Sequence, residues 1–338
     1  MGEADVRGVT DESHAREFTK AVLRDLQALE MLLERGLVET GKHRFGVEQE
    51  MFLVDERGAP APVAEQVLSR VNDPRFTTEL ARFNLEATLP PGPLEGRFLD
   101  TMYEHLSDVV QVADETARSL GARILLIGIL PTLRVSHLTI DNMSPVPRYL
   151  ELNRSALRLK GGRSFTIFIR GLEVFEESFD NVMAEAANTS LQLHYQVEPE
   201  NFARDYNLAQ LISPPLLAAA SNSPVFCGRK LWHETRVAVF ERAVDARSEI
   251  ETARGSQPRV SFGYDWVRGS VLELFRENIT RYRVMLTREV SADPVGQVEA
   301  GKVPSLGALG LHNGTIWRWN RPCFGSTGEV GHLRIENR

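Results

Sequence analysis

Apolar positions along this chain recur first at helical and then at strand spacing. Phe18, Val22, Leu26, Leu29 and Leu33 lie three or four residues apart, with Gly36 behind them, which predicts an amphipathic helix over 11–36. The next stretch, HRFGVEQEMFLVD at 43–55, alternates with the period of a strand. Phe45, Val47, Met51 and Leu53 share one face, with Gln49 the polar exception; Glu48, Glu50, Phe52 and Val54 share the other. ERGAP at 56–60 is turn chemistry, followed by a short helix over 62–71. LARFNLEATLP at 80–90 alternates again, setting Ala81, Phe83, Leu85, Ala87 and Leu89 against Asn84, Glu86 and Thr88. Pro90, Pro91 and Pro93 are expected to end that strand, because proline cannot donate to a ladder.

Leu99, Met102, Leu106, Val109, Ala113 and Leu120 predict a long helix over 94–120. RILLIGIL at 123–130 suits a strand covered on both faces, and the proline-rich segment 131–147 a loop. A helix from Arg148 runs to Gly161-Gly162, then SFTIFIR at 164–170 reads as a strand and 177–188 as a helix. TSLQLHYQV at 189–197 is the clearest alternation: Leu191, Leu193, Tyr195 and Val197 against Ser190, Gln192, His194 and Gln196. Residues 199–243 read as helical with breaks at Pro214-Pro215 and at SNSP, 221–224. The segment 245–268 reads as a mobile loop, 270–288 as a helix, and 291–314 as Gly/Pro-rich connection. Two strands close the chain, TIWRWNR at 315–321 and HLRIENR at 332–338. In the first, Trp317 and Trp319 lie opposite Arg318 and read as core packing; in the second, His332, Arg334, Glu336 and Arg338 lie opposite Leu333 and Ile335. The sequence stops inside this run, so the natural chain is expected to continue past residue 338. Half-polar strands separated by amphipathic helices predict an α+β fold in one catalytic domain over 1–338, with 1–42 as an N-terminal helical segment. A largely antiparallel curved sheet would carry helices on its outer face and leave a polar, concave face open.

Composition narrows the function classes. The 338 residues are 42% hydrophobic and 25% charged with a net charge of −7, and no basic run has interleaved aromatics, which argues against a nucleic-acid binder. Cys227 and Cys323 stand alone, outside any metal-ligand spacing, and read as small hydrophobes in a reducing cytoplasm. The polar start, MGEADVRGVTDE, is no signal peptide, Val6 breaks the myristoylation pattern, and no apolar run reaches membrane-spanning length.

The polar strand faces hold the candidate chemistry: Glu48 and Glu50; Glu86; Gln192 and His194; Arg334, Glu336 and Arg338. Carboxylates two apart on one strand face stand about 7 Å from each other, close enough to share divalent cations. Oxygen and imidazole ligands suit Mg²⁺ or Mn²⁺, and arginines among them suit phosphate oxygens. Together they point to metal-bound nucleotide chemistry. The Walker pattern GxxxxGK(S/T), the dinucleotide GxGxxG and the nucleophile elbow GxSxG are all missing.

GVEQE at 46–50, NLEATLPP at 84–91, PRY at 147–149, LQLHY at 191–195, SNSP at 221–224, WRWNRP at 317–322 and RIENR at 334–338 occur in order. In order and spacing they resemble the glutamate–cysteine ligase superfamily, especially its bacterial carboxylate–amine ligase branch, from about residue 43 to the end. The resemblance implies a glutamine-synthetase-like half-barrel and an ATP-dependent reaction in which a carboxylate is phosphorylated and an amine attacks the acyl phosphate. It implies Glu48, Glu50, Glu86, His194 and Glu336 as metal positions for Mg²⁺ or Mn²⁺, and Arg338 as a catalytic arginine on the transferred phosphate. Arg318 and Arg321 fall in a catalytic and substrate-side segment, Arg148 joins the substrate side, and Gln192 and Arg334 fall with the nucleotide. That branch often carries a glycine-rich, two-histidine form of the LQLHY strand; here Gln192 replaces one of those polar groups. The expected partners are small molecules, an amino-acid carboxylate such as glutamate and an amine such as cysteine, in glutathione-type biosynthesis; a homodimer is compatible with this. Two alternatives are a guanidino-kinase-like phosphotransferase, which would form no amide, and a nucleotide-binding regulatory protein without turnover.

Overall fold

The computed structural model describes residues 6–9, 11–290 and 293–338. In chain order its longer strands are β1 Arg44–Val54, β2 Phe76–Thr78, β3 Asn84–Pro93, β4 Arg123–Leu125, β5 Phe165–Arg170, β6 Val174–Phe179, β7 Leu191–Val197, β8 Asn320–Ser326 and β9 Gly331–Asn337. The helices are α1 Glu12–Glu34, α2 Ala64–Val71, α3 Phe98–Arg118, α4 Pro147–Leu159, α5 Phe202–Ala220, α6 Thr235–Ala243, α7 Glu249–Ala253, α8 Val271–Arg281, α9 Pro294–Glu299 and α10 Gly307–Asn313. A seven-stranded sheet in the order β8-β9-β7-β1-β3-β2, with β4 pairing the end of β1, curls into an antiparallel half-barrel. The fold is α+β, and no helix among the described residues is long and apolar enough to cross a membrane.

The alternation read from the sequence sets how the sheet is buried. Val47, Met51, Leu53, Leu85, Ala87 and Leu89 share a core with Val67 of α2 and Val109, Ala113 and Ala117 of α3. Phe52 and Val54, on the Glu48–Glu50 face, enter a second and larger core with Phe83, so that face is polar only along part of its length. α5 adds Phe202 and Tyr206 to this larger core, and the Tyr206 hydroxyl donates to the Asn320 carbonyl (2.9 Å). α1 is tied to α10 by Asp25, whose carboxylate accepts from the Leu309 N–H (2.9 Å).

Several expectations are corrected. The predicted helix over 177–188 holds instead only the last three residues of strand β6, which is hairpinned to β5, and a single 3-10 turn at Glu185–Ala187. Phe175 and Phe179, both buried, lie four residues apart, a spacing that shares a face in a strand as well as in a helix. β3 runs through the prolines to Pro93. The Thr88 N–H reaches the Arg75 carbonyl (2.8 Å), and past it β3 has a neighbour only on the β1 side; the Leu94 N–H donates to His43 there (2.9 Å), so Pro93's nitrogen faces an edge that needs no donor. α5 likewise continues through Pro214-Pro215; the carbonyls that thereby lose a helical donor are those of Gln210 and Leu211, beside the exposed Leu211 and Ile212.

The run 123–130 is strand only over Arg123–Leu125, and Leu125 and Leu126 are exposed rather than covered. The penultimate strand begins at Asn320 instead of Thr315, since Trp317 and Trp319 pair with Ser261 (3.3 and 3.0 Å). α8 stops at Arg281, and Leu286–Thr287 pairs with Arg7–Gly8. The loop 245–268 contains α7, and the connection 291–314 contains α9 and α10, its first two residues lying outside the described ones.

Candidate active site

Register decides which side chains meet. Glu50 lies directly across from Glu86, Glu48 from both Thr88 and Gln192, His194 from both Gly46 and Glu336, and Arg321 from Glu336. Directly opposed residues of antiparallel strands share a face. Glu48, Glu50, Glu86, His194 and Glu336 therefore converge on one surface, and Gln192, Arg321 and Arg334 share it.

One end of this surface is an acid cluster. Glu50, Glu79 and Glu86 each bring a carboxylate oxygen within 4.8 Å of the others. Glu50 is fixed on both oxygens, accepting from the Ser190 N–H and from the Gln192 amide (2.7 Å each). Burial first, and then repulsion from Glu86, push Glu50 up to about 8, against the pull of Arg338. Burial likewise raises Glu79 well above the carboxylate range, with Glu50, Glu86 and Glu185 adding to it, and raises Glu86 with Glu48 adding. Glu185 is pushed up to about 7 by burial. Three carboxylates this close in a dry place fit a hard divalent cation, which would relieve the desolvation and repulsion that now favour protons. The Gln192 carbonyl oxygen is also buried without a partner, which leaves one more oxygen ligand free.

The other end has the opposite balance. Arg321 grips Glu336 in a fork, Nη2 to both oxygens (2.8 and 2.7 Å) and Nε to one (3.1 Å), and Arg338 Nε adds 2.7 Å. Burial alone would raise Glu336, which is 2% exposed; Arg321 and Arg338 outweigh it and hold the carboxyl well below the usual range. The Cys323 thiol donates to the same carboxylate (3.4 Å). Burial also raises Glu48, and His194 reverses that, its Nε2 standing 3.1 Å from a Glu48 oxygen but without hydrogen-bond alignment.

The remaining predicted residues are more dispersed. Arg334 sits two residues further along the same face, Nη1 against His332 Nε2 (2.7 Å), and burial with this neighbour pushes His332 down to about 4. Arg148 lies in the first turn of α4 beside Tyr149, whose hydroxyl donates to the Thr78 carbonyl (2.8 Å) next to Glu79. Arg318, 1% exposed, turns into α8, bonding Asn278 (3.0 and 2.9 Å) and Glu277 (2.8 Å); it does not join the carboxylates.

Glu79 and Glu185 are the residues that sequence reasoning missed. Glu79 follows the three-residue strand β2, too short to show a period, although it keeps the parity of Thr77, which lies across from Glu86. Glu185 fell within the mistaken helix. A cleft of about 290 Å³ is lined by Ser190, Arg236 and Arg338 and by the apolar Leu126, Leu216 and Phe262; Gln49, Leu191 and Leu193 reach it from the sheet face opposite Glu50, and Glu50, Glu79 and Glu86 do not line it.

The family model of glutamate-cysteine ligase family 2 matches residues 44–263, a span that holds Glu48, Glu50, Glu79, Glu86 and His194 and stops before Glu336. A crystal structure of a bifunctional glutathione synthetase from Pasteurella multocida is similar at a TM-score of 0.36 and 15% identity, over 60% of this chain and 26% of that one. The chain thus spans about a quarter of that protein's length. No curated protein matches significantly.

Proposed function

The chain belongs to glutamate–cysteine ligase family 2, and from that premise we propose that it is an ATP-dependent carbon–nitrogen ligase of the cytoplasm. It would join an amino-acid carboxylate, glutamate first among them, to cysteine or another amine. The observation that carries this reading is the crowding of Glu50, Glu79 and Glu86, whose raised carboxyls call for a cation. Bound Mg²⁺ or Mn²⁺ would neutralise charge there and polarise phosphate oxygens. Glu50, Glu79 and Glu86 would hold it, and Glu48 and His194 complete the polar wall beside them.

In the reaction, a carboxylate oxygen of the donor attacks the γ-phosphorus of ATP and the bond to ADP breaks. The amine nitrogen then forms the C–N bond, the acyl C–O bond breaks, phosphate leaves, and the nitrogen's proton passes to solvent. The chain's part is positioning and electrostatics. Ser190 and Gln192 fix Glu50. Arg338 and Arg321, both on Glu336, present guanidinium charge to the transferred phosphate. Arg334 extends that positive end toward the nucleotide, and Arg148 stands on the substrate side. Arg318 is a positioning residue, holding through Glu277 and Asn278 the segment that leads to Trp319 on the cleft wall.

Phosphate release measured with ATP, Mg²⁺, glutamate and a panel of amines tests the reading. Release is expected only when donor and amine are both present. Full activity of Glu50→Gln would remove the metal assignment, and a phosphorylated product without an amide would replace the ligase with a kinase.

A further inference from the structure

In a chain with a net charge of −7, the cleft is lined by two guanidinium groups, Arg236 and Arg338, and by no aspartate, glutamate or lysine. Arg236 lies in the first turn of α6, where Glu234 holds its Nε (2.7 Å); among the described residues its Nη groups have only a long contact, to the Thr189 carbonyl (3.5 Å). Arg338 is placed by its N–H on the Trp319 carbonyl (3.0 Å) and by Nε on Glu336 (2.7 Å), and its Nη groups have no bond among the described residues. Both arginines pull on the same carboxyl, that of Glu50, so they stand near each other. Glu336 serves Arg321 as well as Arg338, two guanidinium groups to one carboxylate, which leaves a surplus of one positive charge. The rest of the wall is apolar. Leu126 (46% exposed), Leu216 (45%) and Phe262 (40%) come from the segment after β4, from α5 and from the loop before α8, and Trp319 stacks on Phe262 with ring centroids 5.8 Å apart. Exposed apolar side chains gathered in one concave place with a few polar groups, instead of scattered, have the make-up of a ligand site.

We propose that this cleft binds a monoanionic acid with an apolar body, an aromatic or branched-chain carboxylate, its head on Arg236 with Arg338 beside it and its body against Leu126, Leu216 and Phe262. The inference concerns binding, goes beyond the ligase reading and does not depend on it. A guanidinium fork matches the two oxygens of a carboxylate, and a surplus of one charge suits a monoanion better than a phosphate ester. The volume, about 290 Å³, lies at the small end of ligand pockets, roughly 300–1,000 Å³, which is room for one ring or one branched chain. The wall is poor in free backbone donors for reading the edge of a purine. The Gly128 N–H is taken by the Asn222 side chain (2.9 Å), the Thr189 N–H by the Gly128 carbonyl (3.0 Å), and the Ser190 N–H by Glu50 (2.7 Å). An apolar wall whose backbone donors are already spent selects by burial of area and shape, and the arginines select the sign of the head.

Calorimetry on the whole protein tests this with 3-phenylpropionate and 4-methylpentanoate against phenethylamine, which keeps an aromatic body under a cationic head, and acetate, which keeps the head alone. Both acids are expected to bind about tenfold or more tighter than either control. Arg236→Gln should weaken 3-phenylpropionate by about tenfold or more, and Arg236→Lys, which keeps the charge without the fork, should fall in between. Phe262→Ser, at an exposed position, should bring 3-phenylpropionate toward acetate. Arg236→Gln also leaves Glu234 without its partner, so a thermal melt checks its fold; where it fails to fold, Phe262→Ser decides. Phenethylamine binding as tightly as the acids, or 3-phenylpropionate binding unchanged in folded Arg236→Gln or in Phe262→Ser, would overturn the proposal. Displacement of 3-phenylpropionate by adenosine, which carries the purine without phosphates, would overturn it too and make the cleft a base pocket. Selective binding of the acids in a protein that releases no phosphate with any amine supports the site and removes the ligase.

Discussion

Glu50 and Glu336 occupy the same polar face of one sheet, the first half-buried and the second buried, and have opposite electrostatic surroundings. Around Glu336 two guanidinium groups answer the cost of burying charge, and the carboxyl stays ionised far below its ordinary range. Around Glu50, burial and the neighbouring carboxylates outweigh Arg338 and Arg236, and the acid is pushed up to about 8. The Glu336 end is complete as it stands. The Glu50 end is complete only with a proton or a cation added, and that is the physical difference between a carboxylate already answered by arginines and one that calls for a cation.

The largest expected effect lies at the incomplete end. Glu50→Gln, nearly isosteric, removes a charge and is expected to cut phosphate release by about 10²-fold or more. A loss below tenfold in steady-state assays would mean the acid cluster does not hold the metal. Next comes the complete end. Glu336→Gln leaves Arg321 and Arg338 facing a neutral amide and should destabilise the fold by about 3–5 kcal/mol, read from urea unfolding. A neutral outcome would mean the arginines find other partners.

Third is the response to cation and pH. Glu50 takes up a proton on folding, so its favourable contribution is full below the ordinary value of 4.5 and is lost as pH rises through about 8. The metal-free protein should therefore lose stability between those values, and Mg²⁺ at a hundredfold excess over its Kd should restore about 2.7 kcal/mol where the acids are ionised. Glu336 works the other way, its contribution being present above 4.5 and lost as pH falls below that. Thermal melts from pH 5 to 9 with and without Mg²⁺ would show a growing gap toward high pH; a constant gap would sink the assignment. The smallest effect is Glu79→Gln, which relieves repulsion and should stabilise the metal-free fold by about 1 kcal/mol at pH 8 while weakening the Mg²⁺ response. Destabilisation there would erase the contrast with Glu336.

Much of this site was legible beforehand because β1, β3, β7 and β9 are long enough for period two to separate polar from apolar faces; parity placed Glu48, Glu50, Glu86, His194 and Glu336 on the polar faces of their strands, and the family resemblance marked them as metal positions. The family match covers residues 44–263, so the C-terminal part of the polar face rests on the strand pattern and on register. The helix read over 177–188 gave way to the end of β6 and a 3-10 turn. Glu79 was missed because a three-residue strand carries no period.

By itself, then, the sequence determined the alternation, and with it the two faces of the sheet and the residue types on each. Tertiary structure decided which strands became neighbours, and that alone put Arg321 across from Glu336 and Glu79 beside Glu50. Parity is a local property of the backbone, whereas the charge balance around a carboxylate depends on groups brought to it by other strands.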